Sequence, residues 1–486
     1  MDTGKKERPI GIRHLISYGL GDLYGGGAWL IIGMLYMFFL TEIVGLRPGL
    51  AGLVFAIGKV WDAISDPLMG YISDRTHTKY GRRRVYFLIG LVPVGISFAL
   101  LWVKVDFSSQ MALFAFYSVA YIFFCTVYTF ITIPHIALNA EMTTDYSART
   151  RLTSSRTMFG AIASLAAGIF PKIIVDAFGG DQGTAYMVMG CIFAIFFAVP
   201  WIIVYMGTWE LPYEQVKRNG ESLADVFREF GTIFKNSSFR AHMAIYISAY
   251  TALDITMAMF MYFLTYYLGQ PELFPLAMGT QILVQMAMFP AYTYISNRKG
   301  MGFAFRMGLF FWALGMLSQF IIEPGGPAMT LALVAALIGF GNSAGCMIPF
   351  AILPSIIDVD ELMTGKSRAG VYSGAMTLMR KMIQGIIAMP LIGYGLEMIG
   401  FVSNQQQTAE TLSSLRLFYI LGPTAMVVIG VLVSLWFKIT PQNHQVIREE
   451  IARLKGGGEK SSVTPQTREV CESLTGQSYD TLYNVS

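Results

Sequence analysis

The chain contains 486 residues, of which 54% are hydrophobic and only 14% are charged. A soluble domain is usually about 25% charged, so a protein this apolar cannot cover a water-facing surface, and an ordinary soluble enzyme is excluded. A membrane-spanning helix needs roughly 20 apolar residues, and the chain is long enough for twelve. The net charge of +4 is too small to indicate a nucleic-acid partner.

Apolar segments follow one another along the whole chain and predict an all-α membrane protein with twelve transmembrane helices. The first six lie near residues 16–41, 50–73, 85–103, 109–138, 153–176 and 184–207. The other six lie near residues 241–268, 275–296, 305–323, 327–354, 369–399 and 415–438. We therefore predict an N-terminal six-helix bundle (1–207), a middle loop (208–240), a C-terminal six-helix bundle (241–438) and a tail (439–486). The Gly-, Ser- and Thr-rich end of the tail is expected to be disordered.

Basic residues are concentrated in alternate loops. They precede the first segment and follow the second and fourth, whereas the loops after the first and third contain few. Because basic loops remain in the cytoplasm, the middle loop and both termini are predicted to be cytoplasmic, in the inner (plasma) membrane. No cleavable signal peptide is expected, since the polar residues 1–13 are followed by an apolar run too long for one.

An internal repeat supports two parallel halves. Residues 71–75 (YISDR) end the second segment and residues 294–298 (YISNR) end the eighth. Residues 133–138 (IPHIAL) and 348–353 (IPFAIL) match in the same way at the ends of the fourth and tenth. Parallel halves are a transporter architecture, with the substrate site between them near the midplane.

Two carboxylates lie inside the second segment, in the stretch WDAISDP of residues 61–67. Asp62 and Asp66 are four residues apart, so a helix places them on one face. A charged side chain at the bilayer centre costs on the order of 2.5–3.5 kcal/mol, and neighbouring carboxylates repel unless a cation or a proton lies between them. The pair therefore predicts a site for Na⁺, H⁺ or Li⁺, in which Ser65 and Thr129 are candidate hydroxyl ligands. The alternative is a structural ion pair, with Lys59 or another basic residue neutralising the carboxylates.

The loop that follows has the form of a conformational latch. It contains Asp74 and Arg75, and then Arg82 and Arg83. A carboxylate at a helix end can pair with basic residues in one state and release them in another. These four residues are therefore candidate gating residues, and the same basic cluster also serves as a topology anchor.

The fourth segment collects polar side chains on neighbouring turns, which a lipid-facing helix does not do. It is predicted to line a cavity, with Tyr128, Thr132 and His135 as candidate substrate contacts. Arg156 enters the fifth segment, and a charge there is a functional candidate by default. We predict that it contacts substrate.

Lys381 lies well inside the eleventh segment, where it either lines the cavity or pairs with an acid such as Asp62. The ring of Tyr372 can stack on a sugar, although packing is the competing explanation in helices rich in aromatics. Glycines 25–27 interrupt the first segment. They either permit close helix approach or break the helix beside a cavity.

The sequence contains no recognisable catalytic motif. It lacks a Gly-rich phosphate loop, a G-x-S-x-G motif and a Cys/His metal set, and its four cysteines are far apart. We therefore expect a protein that is not an enzyme and has no cofactor beyond a coupling ion. One chain suffices for the predicted fold, so a monomer is expected.

From about residue 11 to 438, the chain resembles the glycoside-pentoside-hexuronide:cation symporters, the melibiose/sodium symporter group of the major facilitator superfamily. The resemblance rests on residues 18–22 (YGLGD), 61–67, Ile133-Pro134 with Arg156, Asp358, residues 364–366 (TGK), residues 370–372 (GVY) and Arg380-Lys381. It implies the major facilitator fold, alternating access and cation-coupled uptake of a sugar or sugar derivative.

The resemblance also implies roles for individual residues. Asp62 and Asp66 are similar to the family's cation carboxylates, Thr129 to a hydroxyl ligand and Lys381 to the basic residue beside that site. Arg156 is similar to the sugar-contacting arginine of the fifth span.

The chain departs from the melibiose-type pattern at the sugar site. Gly26 and Thr132 stand where that pattern has sugar-binding aspartates, and Ile136 stands where it has a stacking tryptophan. Losing two carboxylates while keeping Arg156 and Lys381 makes the cavity more positive, which favours an anionic sugar such as a hexuronide or a sulfonated hexose. The alternatives are a neutral glycoside or pentoside, a lysolipid of the kind that eukaryotic relatives carry, and a non-transporting membrane sensor.

Overall fold

A computed structural model describes residues 9–211 and 231–483, and every regular element in these two ranges is helical. In chain order the α-helices are α1 (Ile12–Gly19), α2 (Asp22–Ile31), α3 (Pro48–Arg75), α4 (Val85–Leu101), α5 (Gln110–Met142), α6 (Tyr146–Phe178), α7 (Gln182–Ala198), α8 (Pro200–Gly207), α9 (Ser237–Tyr262), α10 (Phe274–Lys299), α11 (Met301–Ser318), α12 (Ala328–Thr364), α13 (Ala369–Met382), α14 (Met389–Met398), α15 (Ala409–Ser434), α16 (Pro441–Lys455) and α17 (Pro465–Thr475). Turns of π-helix at Ile32–Tyr36 and Phe39–Ile43 follow α2, Phe263–Leu268 continues α9, and Ile383–Ala388 joins α13 to α14.

Nine helical segments within the described ranges are long and apolar enough to cross a membrane, from Gln110–Met142 to Ala409–Ser434. Helix α4 is apolar but has only 17 residues. The 28-residue α3 is long enough but carries Lys59, Asp62 and Asp66 in its middle. The protein is therefore an all-helical membrane protein, while the count of twelve spans stays a prediction.

The helices form two compact units. The first contains the described residues up to 211 together with 257–282 and 384–416, and the second contains 231–256, 283–383 and 417–483. The sequential division into two six-helix bundles stays a prediction. Most of the predicted middle loop, residues 212–230, lies outside the described residues.

In the first unit, glycines allow helix backbones to touch. A Cβ atom on Gly26 of α2 would lie 2.3 Å from the carbonyl oxygen of Gly160 on α6, and one on Gly393 of α14 would lie 2.3 Å from that of Pro48 on α3. No side chain fits at such distances, so both crossings require glycine. At Gly26, close helix approach is thus the alternative that the structure supports.

In the second unit, the tail folds onto the ends of other helices. The expectation of disorder at its end is wrong as far as residue 483, because α16 and α17 bury an apolar face that includes Ile447, Ile451 and Leu474. The backbone N–H of Tyr483 donates to the carbonyl of Leu362 at 2.9 Å. Apolar burial and backbone pairing together supply the order that the Gly- and Ser-rich composition did not suggest.

Ionic contacts add to the docking of the tail. Lys455 pairs with Glu361 at 2.6 Å, and Nε2 of His444 lies 2.7 Å from Asp358 Oδ2. Burial disfavours the charged form of Glu450, but hydrogen bonds from Arg453 and Tyr479 outweigh it and lower the pKa of this carboxyl below 4.5.

Candidate functional site

The carboxylate pair lies in the middle of α3, which begins with Pro48 at its first position and contains Pro67. Asp62 is fully buried, and its Oδ2 lies 3.6 Å from Nζ of Lys59, one turn earlier on the same helix. The ammonium group of Lys59 also lies 3.3 Å from the ring centroid of Trp29. The alternative in which Lys59 neutralises a carboxylate is therefore realised at Asp62.

Asp66 has different surroundings. It is half-buried, and its Oδ1 accepts a hydrogen bond of 2.7 Å from the hydroxyl of Thr129 on α5. The structure thus brings together two of the predicted cation ligands from separate helices. The hydroxyl of Ser65 instead donates to the backbone carbonyl of Asp62 at 3.4 Å.

Lys381 belongs to the second compact unit, where it is half-buried at the end of α13. Its neighbour Arg380 makes a fork with Asp254 of α9, in which two guanidinium nitrogens donate to the two carboxylate oxygens at 2.7 Å each. The guanidinium carbon lies 4.9 Å from the ring centroid of Tyr250. Arg380 is recognisable in the sequence beside Lys381, whereas Asp254 is an isolated acid in an apolar segment and has no such signal.

Arg156, the predicted substrate contact, lies on α6 and faces Asp22 of α2. Its Nε is 3.8 Å from Asp22 Oδ1, and about a quarter of each side chain is exposed (26% and 29%). The carboxylate fits there because Gly25 and Gly160 have no side chains, since a Cβ atom on either would lie within 2.8 Å of it. This long, partly open pair can exchange partners with a bound molecule.

The polar residues near the end of α5 mostly bond to backbone. His135 is buried, and its Nε2 lies 2.9 Å from the carbonyl oxygen of Tyr18, to which it donates. The hydroxyl of Thr132 donates to the carbonyl of Tyr128, one turn back, at 2.7 Å. Tyr128 packs its ring against Trp29. In the structure, His135 and Thr132 therefore have structural roles as donors to backbone carbonyls. Their predicted contacts with substrate, like that of Gly26, stay predictions.

Tyr372 lies in the second unit. It is fully buried, and its hydroxyl donates to Asp360 Oδ1 at 2.8 Å. Arg368 holds the same carboxylate through two hydrogen bonds, of 2.8 and 2.5 Å. Because Tyr372 is buried and its hydroxyl is already hydrogen-bonded, packing explains this residue better than stacking on a sugar.

The candidate gating residues surround the start of α4. Arg83 bonds to Asp74 and to Glu141, and Arg82 bonds to Glu141 at 2.5 Å. The Glu210 carboxylate accepts the backbone N–H groups of residues 82, 83 and 84 at 2.6–2.8 Å. Arg75 instead stacks on the ring of Tyr71, 3.4 Å from its centroid.

Sequence analysis missed both glutamates of this cluster, Glu141 and Glu210. The only signal for them was their position, each an acid at the end of an apolar segment in a chain with a run of three arginines.

A further buried acid was also missed, Glu42, at the end of the π-helical turns after α2. It accepts hydrogen bonds from the hydroxyl of Tyr266 and from the backbone N–H of Asn404, the latter at 3.0 Å. The hydroxyl of Thr41 also donates to it, at 3.2 Å. These donors satisfy the carboxylate, and the cluster ties the end of the first helical segment to two later parts of the same unit.

Comparisons with known proteins show similarity to sugar transporters. A family model described as MFS/sugar transport protein matches residues 17–441. A "Putative sulfoquinovose importer" of Salmonella typhimurium is 26% identical over 94% of this chain and 96% of its own. An isoprimeverose transporter of Lactiplantibacillus pentosus is 22% identical over 87% and 88%, and an inner membrane symporter of Escherichia coli, YicJ, is 24% identical over 93% and 97%.

Solved structures show the same fold at low identity. A D-xylose-proton symporter superposes with a TM-score of 0.61 at 17% identity, covering 88% of this chain and 98% of that one. A mutant nucleoside transporter, NupG, has the same TM-score at 14% identity, covering 88% and 99%. Because the family model spans most of its length, the chain belongs to the MFS/sugar transport family and, within the major facilitator superfamily, is a multi-pass transporter of the glycoside-pentoside-hexuronide:cation symporter group rather than an enzyme.

Proposed function

We propose that the protein is a cation-coupled symporter that imports a sugar or sugar derivative by alternating access. In this proposal twelve helices in two bundles cross the inner (plasma) membrane, with both termini in the cytoplasm. The observation that carries the proposal is the hydrogen bond from Thr129 to Asp66, one turn from the buried Asp62. Carboxylate and hydroxyl oxygens from two helices suit a small hard cation.

The cation site is proposed to consist of Asp66, Thr129 and Asp62. Pro67 has no N–H group, so the carbonyl of Ala63 lacks its usual helical donor and is a further oxygen ligand. Lys59 shares Asp62 and competes with the cation for it. A proton on Asp66 would serve the same purpose as Na⁺, so the coupling ion is Na⁺ or H⁺, with Lys381 proposed beside the site.

For the substrate, we propose an anionic sugar, such as a hexuronide or a sulfonated hexose, held by Arg156. The name of the Salmonella relative supports a sulfonated hexose. The contact of 3.8 Å between Arg156 and Asp22 is loose, so a carboxylate or sulfonate can replace Asp22 as the partner of the guanidinium group.

A neutral glycoside is the second candidate, and the same pair favours it. Asp22 supplies a negative charge that sequence analysis did not place beside Arg156. Adjacent carboxylate and guanidinium groups can accept from and donate to sugar hydroxyls.

The test is ligand-induced thermal stabilisation of the purified protein, since a ligand that binds the folded state raises its stability by mass action. The panel contains glucuronate, a sulfonated hexose, neutral glycosides and a lysophospholipid, each with and without Na⁺ at fixed pH. We expect a sugar to stabilise the protein and Na⁺ or lower pH to strengthen the effect. If no sugar acts with either cation, the proposal is wrong.

Two variants separate the substrate candidates. For an anionic sugar, Arg156→Gln abolishes binding, whereas Asp22→Asn preserves or strengthens it because the competing carboxylate is gone. For a neutral glycoside, both variants weaken binding. Unchanged affinity in Arg156→Gln contradicts either substrate model.

A further inference from the structure

A cavity of about 350 Å³ lies in the second unit, beside the start of α9 and the end of α15. One of its walls is Ser473 of α17, in the tail. The hydroxyls of Ser237 and Ser238 donate to the carbonyl of Leu474 at 3.0 and 2.6 Å and hold the tail there. The folded tail therefore supplies part of the cavity wall, and the cavity volume is within the range of sites for small ligands.

The cavity carries positive charge. Arg240 and Lys438 both line it and are exposed, and among the described residues its lining includes no Asp or Glu. Nη1 of Arg240 donates to the carbonyl of Phe234 at 2.6 Å, which fixes the guanidinium group near the start of α9. Two cations without a neighbouring acid in the lining favour an anionic ligand.

Besides the two cations and three serines, the lining contains four apolar side chains. Ala241 and Ala244 are three residues apart on α9 and share one face, and Val433 and Trp436 have the same spacing at the end of α15. Trp436 is 72% exposed and directly follows the apolar part of the last candidate span. Exposed tryptophan at the end of a span is typical of the headgroup level of a membrane.

We propose that this cavity binds an anionic phospholipid from the surrounding membrane. Its phosphodiester group lies between Arg240 and Lys438, and the first part of an acyl chain lies against the small side chains of α9 and against Val433. Basic pockets beside membrane helices suit anionic headgroups. A free phosphate would use the cations alone, whereas a lipid uses the cations and the apolar walls together. The site is independent of the transported substrate.

The test is native mass spectrometry of the detergent-purified full chain, titrated with phosphatidylglycerol, phosphatidylcholine or inorganic phosphate. We expect phosphatidylglycerol to bind more tightly than phosphatidylcholine. The double variant Arg240→Gln/Lys438→Gln should weaken phosphatidylglycerol binding roughly 30-fold, given about fivefold for each basic residue near an anionic lipid. Equal binding of both lipids, or an unaffected double variant, overturns the proposal. Inorganic phosphate that abolishes lipid binding at millimolar concentration also overturns it.

Two further variants keep the test sharp. Arg298→Gln/Lys299→Gln removes the same two charge types from the exposed end of α10, outside the cavity, and should bind phosphatidylglycerol as the unmodified chain does. Ala244→Phe fills the apolar wall without changing any charge. It should also reduce phosphatidylglycerol binding, and full binding by this variant would contradict the acyl-chain part of the proposal.

Discussion

Two buried acid–base pairs, one in each compact unit, are built in opposite ways. Arg380 and Asp254 come from different helices and make two hydrogen bonds of 2.7 Å. Lys59 and Asp62 lie on one helix with 3.6 Å between their nearest charged atoms. The first pair has the planar, bidentate geometry that only arginine supplies, whereas the second joins a carboxylate to a compact, mobile ammonium group.

We expect this difference to separate a structural ion pair, Arg380–Asp254, from an exchangeable one, Lys59–Asp62. Breaking a buried bidentate pair leaves an uncompensated charge, which strongly destabilises the fold. The Lys59–Asp62 pair lies one turn from Asp66, a second acid that bonds to a neutral hydroxyl. The carboxylate of Asp66 and the hydroxyl of Thr129 are oxygen ligands near the Lys59–Asp62 pair. We therefore expect a cation to enter there with little rearrangement. We therefore expect the second unit's pair to control stability and the first unit's residues to control coupling.

The largest effect is expected for Arg380→Met. It leaves Asp254 buried without its main partner, and the free energy of unfolding should fall by about 3–5 kcal/mol. Thermal unfolding of the purified protein measures this loss. Asp254→Asn/Arg380→Met should recover part of the stability, and Arg298→Met at an exposed helix end is the control. If Arg380→Met is as stable as the unmodified chain, the Arg380–Asp254 pair is not the structural ion pair that the comparison assumes.

The next largest effect concerns the cation. Asp66→Asn removes the carboxylate charge that accepts from the Thr129 hydroxyl, and the apparent affinity for the coupling cation should fall at least about 100-fold, equivalent to about 2.8 kcal/mol. The measurement is cation-dependent thermal stabilisation in the presence of sugar. Asp62→Asn should lower cation affinity less, because Lys59 shares this carboxylate. A larger effect from Asp62→Asn than from Asp66→Asn would reverse the assigned roles.

A smaller effect is expected for Thr129→Val. The substitution keeps the shape of the side chain but removes a hydrogen bond to a charged group, which contributes about 1.5–3 kcal/mol. Cation affinity should therefore fall by roughly 10–100-fold, while Thr129→Ser should stay within a few-fold of the unmodified chain. If valine and serine behave alike, the hydroxyl is not a ligand.

The smallest effect is expected in the tail, where Arg453 and Glu450 form a similar pair outside the membrane. Since the pKa of Glu450 is lowered from 4.5, its contribution to stability is present above about pH 4.5 and is lost as the pH falls through the lower folded-state value. Glu450→Gln should thus reduce thermal stability slightly at pH 7 and not at all at strongly acidic pH. A variant whose deficit grows on acidification would contradict this sign.

The sequence predicted the positions of the helices because each apolar segment had to be long enough for a membrane, while the count of twelve spans and their orientation stay predictions. Each of the twelve predicted segments overlaps a helix of the structure, including the 28-residue α3 with its three charges. The tail was misjudged, since its order depends on contacts with Leu362 and Ser237, far away in the chain. Amino-acid composition indicates local conformational tendencies, but it contains no information on contacts between residues far apart in the chain.

The candidate site was predicted in part. The spacing of Asp62 and Asp66 was enough to expect one helix face, and the structure places the Thr129 hydroxyl 2.7 Å from Asp66 Oδ1, while its role as a cation ligand stays a prediction. The partners Asp22 of Arg156 and Asp254 of Arg380 required the helix packing, which sequence spacing does not contain. Asp22 adds a negative charge beside Arg156, and this charge bears on whether the proposed substrate is anionic or neutral.

The stacking of Lys59 on Trp29 has a practical consequence. The ammonium group lies 3.3 Å from the indole ring, close enough for its charge to affect the emission of that ring. A cation that draws Asp62 away should move Lys59 and change the fluorescence. The chain has seven tryptophans, so the signal is the part that disappears in Trp29→Phe. We therefore expect the emission of Trp29 to report occupancy of the proposed cation site, without a label or a transport assay.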